Sequence, residues 1–180
     1  MATVKLCVVG PQEGGKTMMC KLLAEAAADR QYSPTAGLRV QEVERRIGMQ
    51  TVNVQLWDCS GDFKYQTCFP AMSLGMDGLI IVYNPDEEGK EPELEKWFQV
   101  FSQQGDIQLS ANQCLILGLH RSETGRPRAP IQGKLRKLPN AIVEVSDAQS
   151  AAQHVGNELD KMLTHVVAMK RETEENSVMN

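Results

Sequence analysis

The stretch Val8–Thr17, VVGPQEGGKT, decides the fold. Gly10 and then Gly15-Lys16-Thr17 carry the spacing Gly-x-x-x-x-Gly-Lys-Thr. Gly10 lets the chain turn sharply out of a strand. Gly14 and Gly15 let consecutive backbone N–H groups reach phosphate oxygens with no Cβ in the way. Lys16 brings a point charge to the outer phosphates, and the Thr17 hydroxyl is a magnesium ligand by type. A helix opening at this point, with Met18 in its first turn, aims its positive end at the same anion. Gln12 and Glu13 stand where many such loops carry small residues. The question they raise is whether the nucleotide is cut or only held.

Upstream, TVKLCVVG places Val4, Leu6 and Val8 on one face and Cys7 and Val9 on the other, as suits a strand buried on both sides. Downstream, KTMMCKLLAEAAA has no glycine or proline and favours a helix. GLRVQEVERRI and QTVNVQLWD alternate around Gly48-Met49 and predict a hairpin with Val52, Val54 and Leu56 on one face. DGLIIVYN and NQCLILGL are continuous apolar runs of the kind found in the centre of a parallel sheet. EPELEKWFQVFSQQ puts Leu94, Trp97, Phe98 and Phe101 on one helical face. A last helix starts near Asp147 with Ser146 as its N-cap, and Ala152, Val155, Leu159, Met162, Leu163 and Val166 form its buried stripe. RSETGRPRAPIQGKLRKLPN breaks the alternation and reads as a long loop with room for one helical turn. The expected fold is α/β: a doubly wound, mostly parallel six-stranded sheet with one antiparallel edge strand. One nucleotide-binding domain is expected over residues 1–170, followed by a flexible tail at 171–180.

The 180 residues suffice for one domain with a sizeable core. A formal net charge of −4 gives no reason to expect nucleic acid or an anionic membrane as partner. Cys7, Cys20, Cys59, Cys68 and Cys114 show no metal-ligand clustering and read as reduced thiols. No signal peptide opens the chain and no apolar run approaches the roughly 18 residues of a spanning helix. Ala2 in place of glycine and a cysteine-free RETEENSVMN ending predict no lipid anchor. The expectation is a soluble protein, monomeric when isolated.

Two further stretches extend the phosphate site. YSPTAG puts Thr35 in the loop between the first helix and the second strand. WDCSGD puts Asp58 at the end of an apolar strand with Gly61 three residues on. That pairing supplies a carboxylate for magnesium, usually through water, and a backbone N–H for the terminal phosphate. Alone, Asp58 reads as a turn residue; beside the Gly10–Thr17 loop it reads as part of a magnesium site with Thr17.

With these three elements in order, the chain resembles the Ras-like small GTPases over nearly its whole length. VGPQEGGKT, YSPTAGLRVQEVE, LWDCSGDFKYQTCFPAM and LEKWFQVFSQQ are similar to the divergent Rab-like GTPases carried as subunits of the intraflagellar transport particle, complex B. The resemblance implies GTP and GDP with Mg²⁺ as ligands. It implies docking onto coiled-coil subunits of that particle, and a place in the cytoplasm and in the cilium or flagellum. Carried over by position, Gln12, Glu13, Gly14, Gly15, Lys16, Thr17 and Met18 would hold the phosphates, with Tyr32 and Pro34 in the lid. Thr35 would close over Mg²⁺ and the terminal phosphate, completing a metal site with Thr17 and with Asp58 behind them, and Gly61 would also meet the terminal phosphate.

The departures fall at the catalytic and base-reading positions. Active Ras-like proteins orient the attacking water with a glutamine after the Asp-x-x-Gly glycine; here that residue is Asp62. A carboxylate accepts from water but cannot donate to phosphoryl oxygens, and it adds negative charge to a transition state already carrying it. Gln12 replaces a glycine, with its side chain toward the space a water-positioning group must enter; it has donor and acceptor enough to position the water itself. The base-reading Asn-Lys-x-Asp is missing. LGLHRSE places Leu119, His120 and Ser122 there, with Glu123 one position late, which weakens guanine preference. His120 or Arg121 could stack on the base or ribose, or His120 is an ordinary loop histidine. VEVSDAQ resembles the family's Ser-Ala-Lys turn, so Ser146 and Asp147 would offer backbone N–H groups to the guanine oxygen.

Three functions follow. One is a nucleotide-dependent binding module with slow or no hydrolysis. Another is a Rab-type switch whose hydrolysis a partner completes. The third is a P-loop ATPase or phosphotransferase with Arg121, Arg126 and Arg128 in a lid. Phe63, Tyr65 and Phe69 read either as exposed partner contacts or as core.

Overall fold

The computed structural model describes residues 2–24, 35–102, 108–121, 131 and 133–178. Six strands form one sheet: β1 Ala2–Val9, β2 Leu38–Ile47, β3 Gln50–Cys59, β4 Gly78–Tyr83, β5 Cys114–His120 and β6 Asn140–Glu144. Among the described residues four α-helices accompany them: α1 Lys16–Leu23, α2 Phe69–Ser73, α3 Glu91–Ser102 and α4 Ala148–Val178. Short 3₁₀ turns lie at Phe63–Cys68, Ala111–Gln113 and Gly133–Lys137. The last of these is the helical turn expected within the long loop. The strand order is β2-β3-β1-β4-β5-β6. Among the described residues only the β2–β3 pair is antiparallel, so the expected sheet is the observed one.

Alternation along β1 divides the core in two. Val4, Leu6 and Val8 point to the side covered by α1 and α4, where they meet Val54, Leu56, Leu117, Val155, Leu159 and Leu163. Cys7 and Val9 point to the side covered by α2 and α3, with Leu79, Ile81, Ile116, Leu94, Trp97 and Phe101. That second layer is aromatic. Phe63 stacks on Trp97 at 4.3 Å between centroids, and Phe69 lies 5.3 Å from Trp97 and 5.2 Å from Phe101. Phe69 is core and Phe63 is half-buried, so the core reading holds for both. Burial of this aromatic cluster fixes the segment after Gly61 against α3.

The stripe of α4 runs Ala151, Val155, Leu159, Met162, Leu163, Val166 and Val167. Ala152 is only half-buried, one position off the expected seam. The cap is also one residue later than expected. Asp147 Oδ2 accepts from Ser150 N at 2.7 Å, whereas the Ser146 hydroxyl donates to Glu144 Oε1. The helix continues to Val178, past residue 170 where the sequence reading ends the domain. Arg45 of β2 grips Asp160 through two bonds, Nε at 2.9 Å and Nη2 at 2.7 Å, and joins the antiparallel edge to α4.

Candidate functional site

Strand order reverses at β1, and a doubly wound sheet opens its crevice at such a point, beyond the carboxyl ends of the strands. The Gly10–Thr17 loop leaves β1 there. Gly10 has φ +138°, and a Cβ on it would lie 2.1 Å from the Val82 carbonyl oxygen, so only glycine lets the loop cross β4 this closely. Glu13 also takes a left-handed conformation, at φ +59°, which is uncommon for a residue with a side chain.

A cavity of about 660 Å³ opens over this loop, within the range of small-molecule sites. Gln12, Glu13, Gly14, Gly15, Lys16, Thr17 and Met18 line it, with Thr35, Gly61 and Asp62. Ten of the expected positions therefore share one wall or another of a single cavity. Tyr32 and Pro34, the expected lid residues, lie outside the described residues, as do Ser122, Glu123, Arg126 and Arg128.

Lys16 is 7% exposed and donates to the Gly10 and Pro11 carbonyl oxygens at 3.0 and 2.6 Å. Burial lowers its pKa against the opposing pull of Asp58. The metal-type oxygens converge as expected. Thr17 Oγ1 donates to Asp58 Oδ2 at 2.6 Å, Thr35 Oγ1 donates to the same oxygen at 3.1 Å, and the two hydroxyl oxygens are 3.1 Å apart. Asp58 is fully buried, and its Oδ1 has no hydrogen-bond partner among the described residues. Burial raises its pKa although both threonines and Lys16 oppose the shift. Buried charge with unspent acceptor capacity fits a site completed by a cation. Adjacent ligands of an octahedral magnesium at 2.0–2.1 Å stand roughly 3 Å apart, which is the spacing of the two hydroxyls.

Gly61 closes the cavity on the other side. A Cβ there would meet Gln12 N at 2.6 Å and Lys16 Nζ at 2.7 Å. The segment after Asp58 thus lies directly on the phosphate loop. At the next position Asp62 caps the Phe63–Cys68 turn: Oδ1 accepts from Lys64 N at 2.9 Å and Oδ2 takes the Lys64 ammonium at 2.9 Å. Both oxygens of the residue standing in the glutamine position are committed to Lys64.

The base end departs from expectation. His120 is 3% exposed and does not line the cavity; its Nδ1 is 2.7 Å from Asp86 Oδ1. Arg121 N donates to Asp86 Oδ2 at 3.3 Å. Leu119 and Arg121, on either side of His120, line the cavity instead. Ser146 and Asp147 are exposed, and neither is among the lining residues described. Residues the sequence reading left out also contribute. Lys64, Tyr65, Ser60, Asn84 and Glu87 face the cavity. Asn84 is held by its own turn, accepting from Asp86 N at 3.0 Å and donating to Glu87 at 3.3 Å. The Asn84-Pro85 pair directly after an apolar run was the signal for that turn.

Fold and site together define a Ras-like nucleotide-binding domain, and residues 5–120 match the family described as Ras of Complex, Roc, domain of DAPkinase. The chain is 34% identical to intraflagellar transport protein 22 of Chlamydomonas reinhardtii, over 98% of this chain and 95% of that one. It is 30% identical to the human homolog over 99% of this chain and all of its relative. The chain belongs to the intraflagellar transport protein 22 family. Among solved structures, the GTP-bound T. brucei IFT22/74/81 crystal structure superimposes with a TM-score of 0.75 at 27% identity, covering 96% of this chain and 99% of that one. The GDP-bound T. brucei IFT22 structure gives a TM-score of 0.70 at 26% identity, covering 94% and 99%.

Proposed function

We propose that this protein is a small GTPase-like subunit of the intraflagellar transport particle. It binds GTP or GDP with Mg²⁺ and hydrolyses GTP slowly or not at all when unaided. The observation that carries this reading is the convergence of Lys16, Thr17, Thr35 and Asp58 in one cavity whose glutamine position is Asp62, tied to Lys64. Relatives of this family are solved with GTP, with GDP and in an IFT22/74/81 complex, which supports the same ligands and particle partners here.

The phosphates would rest on the loop N–H groups and Lys16, with Thr17 and Thr35 as magnesium ligands and Asp58 behind them. Bound there, the metal supplies positive charge against the phosphate oxygens. The chain's own residues do the rest. Lys16 leaves the Gly10 and Pro11 carbonyls for the outer phosphates. Gly61 offers its backbone N–H to the terminal one. Gln12 is the remaining amide in reach of an attacking water, since the Asp62 carboxylate can accept from water but cannot donate to the phosphoryl oxygens. Base recognition rests on Leu119 and Arg121, which line the cavity, in place of the family's Asn-Lys-x-Asp. Docking onto coiled-coil subunits holds the protein to the particle in the cytoplasm and cilium.

Side-by-side titration of GTP, GDP and ATP, with and without Mg²⁺, tests the reading. The expected result is micromolar or tighter binding of GTP and GDP, lost in Lys16→Ala. Turnover should stay at or below roughly 5 × 10⁻⁴ s⁻¹, the unaided rate of Ras. Failure of all three nucleotides to bind, or turnover of several per second, refutes it.

A further inference from the structure

Lys64 brings a second cation to the cavity that the phosphate-loop pattern does not assign. Its side chain lines the cavity together with Gln12, Lys16 and Gly61. The ammonium sits on Asp62 Oδ2 at 2.9 Å and 5.0 Å from the Tyr65 ring centre, while 65% of the side chain is exposed. A lysine stem with four flexible carbons can leave such a partner at little cost. The pair is mutually supporting at rest. Hydrogen bonds from Lys64 hold the Asp62 carboxyl below its usual range, and the bond to Asp62 holds the Lys64 ammonium above its own.

Gly61 links this pair to the phosphates. Its Cα carries no Cβ because Gln12 N and Lys16 Nζ occupy that space. A nucleotide's third phosphate must enter beside the same two groups. Lys16, which rests on the Gly10 and Pro11 carbonyls, would turn to it, and the Asp62–Lys64 turn lines the same cavity. A diphosphate ends short of that turn and gives Lys64 nothing better than Asp62. A terminal phosphate carries more negative charge than one carboxylate and offers several acceptor oxygens.

We propose that Lys64 is a terminal-phosphate sensor, exchanging the Asp62 carboxylate for the third phosphate and making the protein hold nucleoside triphosphate more tightly than diphosphate. The inference rests on the nucleotide-binding reading above. The exchange frees only Asp62 Oδ2; Oδ1 still accepts from Lys64 N and keeps the Phe63–Cys68 turn capped, with Phe63 stacked on Trp97. Asp62 serves this device as the resting seat of a cation, not as a group that orients water.

The test measures dissociation constants for GDP and for a non-hydrolysable GTP analogue, in the full chain with Mg²⁺. Unmodified protein is compared with Lys64→Gln, Lys64→Arg and Lys16→Ala. Lys64→Gln is expected to weaken the triphosphate roughly tenfold and to leave GDP within about twofold, as for one charge-assisted contact. Lys64→Arg should keep most of the triphosphate preference. Lys16→Ala should lose both nucleotides. Equal weakening of GDP and triphosphate in Lys64→Gln, or no change in either, overturns the sensor while leaving nucleotide binding intact. Absence of binding to the unmodified protein overturns the nucleotide reading itself, and the sensor with it.

Discussion

His120 Nδ1 lies 2.7 Å from Asp86 Oδ1 in a buried pair that joins the exits of β5 and β4. The partner is 34 positions away in sequence and on another loop. The histidine that falls where Ras-like proteins keep their base-reading lysine is therefore a clasp. It holds the chain so that Leu119 lies under Gly15 and Arg121 faces the cavity.

Replacing His120 with alanine should cost stability first. Loss of a charge-assisted bond inside the domain predicts a drop of roughly 1–3 kcal/mol in urea-induced unfolding. The ratio of GTP to ATP affinity should stay within about twofold, because the ring does not line the cavity. A selective loss of GTP binding with unchanged unfolding would return His120 to the base.

Asp58 should control the response to magnesium. Its Oδ2 accepts both threonine hydroxyls, and its Oδ1 is buried with no partner among the described residues. In Asp58→Ala the gain in GDP affinity on adding Mg²⁺ should fall by roughly tenfold or more, with affinity in EDTA changed far less. Fluorescence titration of labelled GDP in the two buffers checks it.

Burial of the Lys16 and Asp58 charges predicts a dip in the stability of nucleotide-free protein near neutral pH. The folded-state pKa of Asp58 is raised above its ordinary 3.8, so the folded chain holds that proton more tightly than the unfolded chain. Stability from this source is present at acid pH and is lost as pH rises through the raised value. For Lys16 the folded pKa is lowered below 10.5, so stability returns as pH climbs through the lowered value toward 10.5. Thermal midpoints of nucleotide-free protein against pH should show the dip. Asp58→Asn should flatten its acid side, and Mg²⁺ with GDP should stabilise most within it.

Trp97 should be the most costly core position to empty. It is fully buried and touches Phe63, Phe69 and Phe101. Trp97→Ala should lose roughly 3–5 kcal/mol in chemical unfolding. It should also loosen the segment after Gly61, read as faster amide exchange at Phe63–Ser73.

Much of this architecture could be read from spacing alone. Val4, Leu6 and Val8 against Cys7 and Val9 foretold a strand between two layers, because a period of two leaves no other assignment for an apolar run. Gly10 to Thr17, Thr35, Asp58 and Gly61 were legible because each lies next to a strand or helix end whose position the pattern fixes. What escaped depends on partners distant in sequence. His120 was readable as loop or ligand until Asp86 came beside it. Lys64 carried no signal in its own neighbourhood, since its meaning comes from the cavity wall opposite. Ser146 and Asp147 are both good caps by type, and only the φ/ψ path out of β6 selects the second.

The last helix has a practical consequence. Lys170 donates to Thr3 O and to Asp77, at the end of β1 away from the phosphate loop, and Arg171 reaches Gln50 beside the hairpin tip. From Arg171 to Val178 the helix adds about 12 Å of length beyond that point. A fluorophore, affinity tag or surface tether attached past Val178 is thus launched from the pole opposite the nucleotide. Immobilising the molecule by that handle leaves the cavity mouth facing outward.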